Sequence, residues 1–363
     1  MKICFCIGKL TFSGAENVVR YLVTQLIQRG YDVSVILMEE LPGENDGITG
    51  LTVESAIVRG SGFANVLKRV RSIRLSLKKI KPDAFVIFNY AMANTAVPAA
   101  MFLRKTKVIV CERNAPTCVP KSKKRVKLRD FLFGFSDVCV SQTDEIAAYF
   151  KEIVKNNVVI PNPIREKAEK CPDVSNRSNV FATVARLDDY QKNQTMMIRA
   201  FSTVIEKHPE YELHFLGGGP DMEKYKKLIA ELGIENNVKF LGNVKNPTEY
   251  IKNCRGFLLS SNYEGMPNAL IEAMSIGLPS VSTRCLGGGA EALIIDGKSG
   301  FLVDINDEKT FSERICALIE DEDLCRRLGD NAYEINDILN GDRIVSMWEN
   351  LFKELINKEG GKE

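Results

Sequence analysis

Two cations stand on one loop that follows a predicted strand. Arg186 and Lys192 lie in the segment ARLDDYQKN, directly after the apolar run Val180–Val184. Arginine offers a planar fork of N–H donors and lysine a point charge, and both suit a diphosphate. Open α/β sheets bind ligands at the carboxyl ends of their strands, so the two cations can converge on one such group. The alternative is a solvated charged loop.

Two glutamates follow in the segment NYEGMPNALIEAM, which runs from Asn262 to Met274. Glu264 lies in a loop, and Glu272 lies about one turn into the helix that the pattern predicts. A carboxylate among apolar neighbours needs a polar partner, and the diol of a sugar or ribose is a suitable one. The alternative is that Glu272 caps the helix or pairs with a cation.

The start of the same predicted helix is a second anion site. Pro267 fits the first helical turn. We therefore expect the backbone N–H groups of Asn268, Ala269 and Leu270 to be open for an anion.

Two glycine-containing turns come after other predicted strands. Gly217 opens the run GGGP, where backbone can approach a ligand closely. The first βα turn reads GKLTFSGAE and places Gly14 before a helix, where the N–H groups suit a phosphate. Its glycines are six positions apart rather than spaced as GxGxxG, so a nicotinamide-dependent dehydrogenase is poorly supported.

Short apolar runs and longer helical patterns alternate along the chain. This alternation predicts an α/β fold with two parallel sheets, which are two Rossmann-like domains that face a cleft. The expected strands are Ile3–Ile7, Val33–Leu37, Ala84–Phe88, Val108–Cys111, Val138–Val140, Val180–Val184, Leu213–Leu216, Val238–Leu241, Gly256–Leu259 and Ser280–Ser282. The expected helices are Val18–Gln28, Phe63–Ile80, Asp144–Phe150, Thr195–Glu206, Met222–Leu232, Thr248–Cys254 and Ala269–Ile276.

A domain boundary is expected at the sequence VIPNPI, because two prolines stop regular structure. We predict an N-terminal domain over residues 1–164 and a C-terminal domain over 165–340. Residues 341–363 should contribute a helix that packs back on the N-terminal domain.

Composition and charge limit the classes of protein. The 363 residues are 45% hydrophobic and 26% charged, which is an ordinary globular balance. Residues 1–164 hold 24 Lys and Arg against 14 Asp and Glu, whereas the rest of the chain holds 25 against 33. The basic half and the acidic half suggest domains with different partners.

The ten cysteines form no disulfide framework, and two histidines give a Cys/His zinc site little support. The first apolar run is short for a signal peptide, and no apolar stretch is long enough to span a bilayer. We therefore expect a cytoplasmic protein, without a metal site, that lies on the inner face of the cell membrane.

Several motifs together resemble glycosyltransferase family 4, especially its bacterial members that build capsule, O-antigen and lipid-linked oligosaccharides. The motifs are SGAENV, VARLDDYQKNQ, FLGGGP, VKFLGNV, EGMPNALIEAMSIGLPSV and GKSGFLVD. The resemblance implies a GT-B fold, with acceptor binding by the first domain and nucleotide-sugar binding by the second. It also implies a retaining, metal-independent transfer from a nucleotide sugar and no cofactor.

The resemblance assigns roles to particular residues. Glu264, Arg186 and Lys192 are the expected catalytic residues. Glu272 corresponds to the glutamate that holds the ribose hydroxyls, and Val244 lies where the family's backbone reads the base. The full expected donor-binding set is Gly14, Arg186, Lys192, Gly217, Val244, Glu264, Met266, Pro267, Asn268, Ala269 and Glu272.

The sequence departs from many relatives after the fourth or fifth strand of the first domain. A histidine is common there, whereas this chain has Glu112, Arg113 and Asn114. Some relatives of the lipid-linked clade carry a similar run. We expect these residues to contact the sugar or the acceptor; the alternative is that they only form a turn.

Two basic clusters bear on the acceptor. Phe63–Lys81 surrounds an apolar set with cations that include Lys68, Arg71, Lys78 and Lys79. The run Lys121–Arg129 adds a second cluster. Basic amphipathic helices suit an anionic bilayer, and no nucleic-acid recognition module is visible. We predict contact with an anionic membrane and none with nucleic acid.

The residues and the family resemblance together imply a retaining hexosyltransferase. It would move a hexose or N-acetylhexosamine from a UDP-sugar to a hydroxyl of a lipid-linked glycan. A nucleotide-sugar epimerase of the same fold and a nucleotide-sugar-binding scaffold without turnover are the alternatives. The DxD sequence at Asp321 and Asp323 lies in a polar stretch away from any strand end, so it is interpreted as surface charge.

Overall fold

A computed structural model describes residues 1–10, 14–39, 47–60, 62–103 and 105–357. The chain divides into two compact units. The first contains Met1–Arg165 and the C-terminal segment from Gly341, and the second contains Glu166–Asn340.

The first unit is built on a parallel sheet. Its strands are β1 (Lys2–Ile7), β2 (Asp32–Leu37), β3 (Thr52–Ser55), β4 (Ala84–Ile87), β5 (Lys107–Cys111), β6 (Val138–Ser141) and β7 (Asn157–Val159). They are arranged in the order β3-β2-β1-β4-β5-β6-β7. The helices between them are α1 (Gly14–Gln28), α2 (Phe63–Ile80), α3 (Tyr90–Ala100), α4 (Lys123–Phe133) and α5 (Asp144–Phe150).

The second unit repeats the plan. Its strands are β8 (Val180–Val184), β9 (Glu212–Leu216), β10 (Val238–Gly242), β11 (Gly256–Leu259), β12 (Ser280–Thr283) and β13 (Phe301–Val303), in the order β10-β9-β8-β11-β12-β13. Its α-helices are α6 (Asp189–Lys192), α7 (Gln194–Lys207), α8 (Met222–Leu232), α9 (Pro247–Ile251), α10 (Asn268–Ser275), α11 (Glu308–Glu320), α12 (Glu322–Tyr333) and α13 (Ile335–Ile338). Short 3-10 helices lie at Val174–Asn176 and Glu235–Asn237.

The last helix, α14 (Gly341–Asn357), returns to the first unit. Trp348 and Phe352 of α14 share an apolar core with β1, β2, β4 and α1. The Trp348 ring lies 6.4 Å from that of Phe88, between ring centres. Arg29 at the end of α1 donates a 2.9 Å hydrogen bond to the Asp342 carboxylate of this segment.

The prediction of two parallel Rossmann-like sheets is confirmed. The pattern missed short strands such as β3 (TVES) and β13 (three residues), and it also missed longer helices, among them α3 (11 residues, most of them buried) and α11 (13 residues). The predicted helix Thr248–Cys254 was too long, because the structure ends it at Ile251. Within the described residues, none of the helices has the length and apolar character needed to cross a membrane.

Candidate active site

The centre of the second sheet brings Lys192 and Glu264 together. Lys192 ends α6, in the loop after β8, and Glu264 follows β11. β8 and β11 are neighbours, although β9 and β10 separate them along the chain. Such a reversal of strand order is the switch point at which open α/β sheets bind ligands.

Lys192 and Glu264 form an ion pair at this switch point. The Lys192 ammonium donates to Oε1 of Glu264, and both side chains are largely buried. Ser261 Oγ donates to the same oxygen at 2.7 Å, and Gln191 Nε2 donates to Oε2 at 3.3 Å. The carboxylate is therefore fixed in place by three neighbouring donors, one of which is charged.

Backbone hydrogen bonds join the loops that carry this pair. Asn262 N donates to Gln191 O at 2.8 Å, which links the loops after β11 and β8. Glu264 N donates to Leu286 O at 2.9 Å, which links the loop after β12 as well. The pair thus rests on three loops at the carboxyl ends of three adjacent strands.

The glycine turn after β9 packs directly on the loop of Arg186. A Cβ on Gly217 would lie 2.1 Å from Ala185 O, and the Gly217 φ of +135° is one that other residues rarely adopt. Gly217 N also donates to Gly242 O at 2.7 Å, and Val244 lies two residues beyond that point. Only glycine permits this approach, so Gly217, Arg186 and the loop that contains Val244 share one edge of the sheet.

Arg186 itself is exposed, and its backbone oxygen accepts a 3.0 Å hydrogen bond from Gln194. Nearby, Asp189 receives hydrogen bonds from Thr195 N at 2.8 Å and Lys224 Nζ at 2.6 Å. Burial acts to raise the pKa of Asp189, but these donors outweigh it and hold the pKa below its usual value. Asp189 therefore serves to shape the loop between the two cations.

The start of α10 differs from the expectation. Pro267 is the residue before the helix, and its carbonyl accepts a 3.1 Å hydrogen bond from Leu270 N. The prediction that the Leu270 N–H is open for an anion was therefore wrong. Met266 and Pro267 are buried, and Asn268, Ala269 and Glu272 are half-buried.

A glycine loop after β12 was not found from the sequence. Gly287 and Gly288 have φ values of +97° and +67°. A Cβ on Gly289 would lie 2.0 Å from Gly265 O, so this loop packs against the backbone beside Glu264. The available signal was three successive glycines that begin five residues after the end of a predicted strand.

In the first unit, Glu112 follows β5 and is fully buried. Its Oε1 accepts a 3.0 Å hydrogen bond from Arg113 N, and Oε2 lies 3.5 Å from Nη1 of the buried Arg129. Burial raises the pKa of Glu112 to about 8, although the Arg129 charge acts in the opposite direction. Glu112 is thus part of the interior of this unit.

Arg113 and Asn114 are half-buried beside Glu112. The Arg113 guanidinium lies 4.5 Å from the centre of the Phe88 ring and donates to Oδ1 of Asn162. Burial lowers the pKa of Arg113 to about 10. Asn114 Oδ1 accepts from Ala115 N at 2.9 Å, which shapes the turn. Gly14 begins α1 with a φ of +45°, and residues 11–13 of its predicted turn lie outside the described residues.

The two basic clusters are only partly exposed. Lys68, Arg71 and Lys78 are exposed on α2, and Lys79 pairs with Glu54 at 2.6 Å. Arg129 is 3% exposed, so its expected membrane contact was wrong. Its guanidinium is held inside by the Asp130 carboxylate and by the carbonyls of the turn that follows Asn114.

The DxD residues serve α12. Asp321 caps the helix by accepting from Leu324 N at 2.8 Å, and Asp323 pairs with Arg326 at 2.6 Å. Both roles are those of a helix terminus at the surface.

Family models match both halves of the chain. The family described as Glycosyl transferases group 1 matches residues 164–335, and Glycosyltransferase Family 4 matches residues 12–167. An uncharacterized glycosyltransferase of Methanocaldococcus jannaschii is 31% identical over 346 residues, covering 80% of this chain and 84% of that protein. This chain belongs to glycosyltransferase family 4.

Two further likenesses extend over nearly the whole glycosyltransferase. A Campylobacter jejuni protein is 27% identical over 364 residues, covering 98% of this chain and 99% of its own. It is named GalNAc-α-(1→4)-GalNAc-α-(1→3)-diNAcBac-PP-undecaprenol α-1,4-N-acetyl-D-galactosaminyltransferase. The solved structure of Anabaena HepE in complex with UDP-glucose has a TM-score of 0.80 at 18% identity, covering 98% and 100% of the two chains. That likeness shows the shared GT-B fold.

Proposed function

We propose that this glycosyltransferase moves a hexose or N-acetylhexosamine from a UDP-sugar to a hydroxyl of a lipid-linked glycan, with retention of configuration. The observation that carries the proposal is the Lys192–Glu264 pair at the switch point of the second sheet. The name of the Campylobacter relative supports a lipid-linked acceptor, and the UDP-glucose bound to HepE supports the donor.

The cations would stabilise the leaving group. Negative charge builds on the β-phosphate as the bond from the sugar breaks, and fixed positive charge lowers the free energy of that state. Lys192 and the exposed Arg186 would face the diphosphate. Glu264 would accept hydrogen bonds from the donor sugar, and Glu272 would hold the ribose hydroxyls.

The anomeric configuration would be retained because the acceptor hydroxyl attacks the donor sugar on the same face from which the leaving group departs. The released phosphate would take the proton of the acceptor hydroxyl, so no side chain needs to act as base.

The DxD carboxylates are engaged in a helix cap and an ion pair. We therefore expect transfer to continue in excess EDTA, and complete loss that Mg²⁺ or Mn²⁺ restores would contradict this mechanism.

The first unit would hold the acceptor near an anionic membrane on the cytoplasmic side. α2, α3 and α4 lie side by side on one layer. Besides its cations, this layer exposes aromatic rings: Phe102 is 84% exposed and Phe131 is 64% exposed. Phe102 and Phe135 line the same surface pocket of about 210 Å³. Exposed aromatic rings beside cations suit a bilayer interface.

Arg113 and Asn114 remain the predicted acceptor contacts.

The proposal is tested in two steps, first by donor binding and then by analysis of the reaction product. Thermal unfolding is measured with UDP-, GDP- and ADP-sugars, since a ligand at about 100 times its Kd stabilises by about 2.7 kcal/mol. The stabilising donor is then incubated with undecaprenyl-linked glycans, and UDP release and the product's anomeric configuration are measured. UDP release with a new α-linkage supports the proposal. An epimerised sugar, or binding without release, would support the epimerase or the scaffold instead.

A further inference from the structure

A group of metal-ligating side chains lies outside the predicted donor site. His208 follows the end of α7, and Cys316 and Glu320 lie one turn apart on α11. One ligand atom from each of the three lies within 4.8 Å of the others. Nε2 of His208 is 3.0 Å from Oε1 of Glu320.

The donor set is one that zinc prefers. Thiolate, imidazole and carboxylate bind Zn²⁺ at about 2.0–2.3 Å, so atoms around a tetrahedral ion lie roughly 3.3–3.8 Å apart. The present separations, 3.0 Å between His208 and Glu320 and none above 4.8 Å, span that range. Cys316 is buried and His208 is half-buried, while Glu320 reaches the surface and provides access for the ion.

Two further features favour a cation at this point. Glu210 lies 3.9 Å from Nδ1 of His208, which is the second nitrogen of the ring. Histidine ligands commonly donate their second N–H to a carboxylate, and this raises their basicity. The carboxyl ends of α7 and α11 also meet here, and the negative end of a helix dipole stabilises positive charge.

We propose that His208, Cys316 and Glu320 bind one zinc ion that clips α7 to α11, with Glu210 orienting His208. Three protein ligands leave one tetrahedral position, which water would fill at the exposed face, and the role we assign to the ion is structural. α7 has 14 residues and is therefore about 21 Å long, and its opposite end begins two residues after Lys192. The ion would act on the stability of the second unit, and the transfer reaction would proceed without it.

Cobalt titration tests the ligands directly. The full chain is freed of metal and titrated with Co²⁺, whose bond to a thiolate gives a charge-transfer band in the near ultraviolet. We expect one equivalent to produce the band and Zn²⁺ to displace it. Cys316→Ser should abolish the band, while Cys325→Ser, at another buried cysteine of the same unit, should leave it unchanged.

Zinc affinity and thermal stability give a second measurement. His208→Ala and Glu320→Gln should each weaken Zn²⁺ binding at least about tenfold. Zn²⁺ should raise the Tm of the parent and of Cys325→Ser, but not that of His208→Ala. The proposal is overturned if the parent gives no thiolate band, or if Cys316→Ser or His208→Ala binds Zn²⁺ as tightly as the parent. His208→Ala and Glu320→Gln keep the test decisive if Cys316→Ser does not fold.

Discussion

At the residue scale, the donor-site cation Lys192 and the carboxylate of Glu272 have different proposed tasks. The attraction between Lys192 and the diphosphate would strengthen as negative charge develops there in the transition state. Glu272 would instead bind the ribose equally strongly before and during the reaction. Interactions that strengthen in the transition state affect kcat, and uniform binding affects KM. The two kinds of residue should therefore give different kinetic signatures.

We predict that Lys192→Ala or Arg186→Ala lowers kcat by roughly 10²–10³, about 3–4 kcal/mol, as for removal of a preorganised donor. Glu272→Ala should mainly raise the donor KM. Lys192→Arg should retain more rate than Lys192→Gln, because the charge carries the effect. Steady-state kinetics with the stabilising donor measure all of these values.

Lys227→Ala provides the control, since Lys227 is an exposed cation on α8 that lies 3.8 Å from Glu231. It should leave kcat and KM unchanged. If the variants of Arg186, Lys192 and Glu272 fold and stay within about threefold of the parent, the assigned site is wrong.

The buried Glu112 should make stability depend on pH. Burial raises its pKa in the folded protein to about 8, so the folded state binds more protons than the unfolded state above the usual carboxyl pKa. The free energy of unfolding should then fall by a few kcal/mol between about pH 5 and pH 8. Glu112→Gln removes the titrating group, so this fall should become much smaller whatever the absolute stability of the variant.

Urea unfolding followed by tryptophan fluorescence measures this effect, because Trp348 is the single tryptophan and lies in the core of the same unit. Glu152→Gln, on an exposed side chain of the first unit, is the matched control. An equal pH dependence in the parent and in Glu112→Gln would show that Glu112 does not carry the effect.

At the element scale, the turn after β9 depends on one of two adjacent glycines. Gly217→Ala would place Cβ 2.1 Å from Ala185 O at a φ of +135°, whereas a Cβ on Gly218 meets nothing within 4 Å. We predict that Gly217→Ala lowers the free energy of unfolding by about 1–3 kcal/mol and weakens donor binding. Gly218→Ala should change both far less. Circular dichroism during unfolding and donor-induced thermal shifts measure the pair; equal effects would contradict the predicted geometry.

The α2 surface predicts how the protein binds vesicles. Lys68, Arg71 and Lys78 are exposed, and each cation near an anionic bilayer contributes about 1 kcal/mol. Changing all three to alanine should weaken binding to phosphatidylserine vesicles about 100-fold in low salt. Turnover on a short soluble acceptor should remain. Phe131→Ser should also weaken vesicle binding through loss of apolar contact.

The matching control changes Lys226, Lys227 and Lys309, which are exposed cations of the second unit. If both triple variants bind vesicles equally well, α2 is only a solvated surface.

At the scale of the whole molecule, α14 follows the second unit in sequence but belongs to the core of the first. Trp348 is 1% exposed, and truncating a buried aromatic side chain typically costs about 3–5 kcal/mol. Trp348→Phe should therefore lower the Tm of the first unit modestly, and Trp348→Ala should lower it strongly.

Ligand binding distinguishes the two units in this experiment. A donor that binds the second unit should still stabilise that unit in Trp348→Ala, as limited proteolysis of residues 166–340 would show. Equal destabilisation of both units would mean that α14 supports the second unit as well.

The sequence by itself determined the alternation of strands and helices, because side-chain periodicity is local. It also located Arg186, Lys192, Glu264 and the glycine turn of Gly217 on loops after strands. These features need only neighbouring residues to be recognised.

Tertiary structure alone decided which of those residues meet. Lys192 and Glu264 are 72 positions apart, and they pair because β11 returns beside β8. Periodicity contains no information about that strand order. Arg129 belongs to a basic run but lies inside, because the Asp130 carboxylate and two backbone carbonyls accept hydrogen bonds from its guanidinium there.

Tertiary structure also explains why His208 and Cys316 formed no recognisable zinc motif in the sequence. His208 directly follows α7 and Cys316 lies on α11, and only the packing of α7 against α11 brings their ligand atoms together. Local spacing identifies motifs within one element. Contacts between elements depend on the sheet order and on the packing of helices, and these depend on the whole chain.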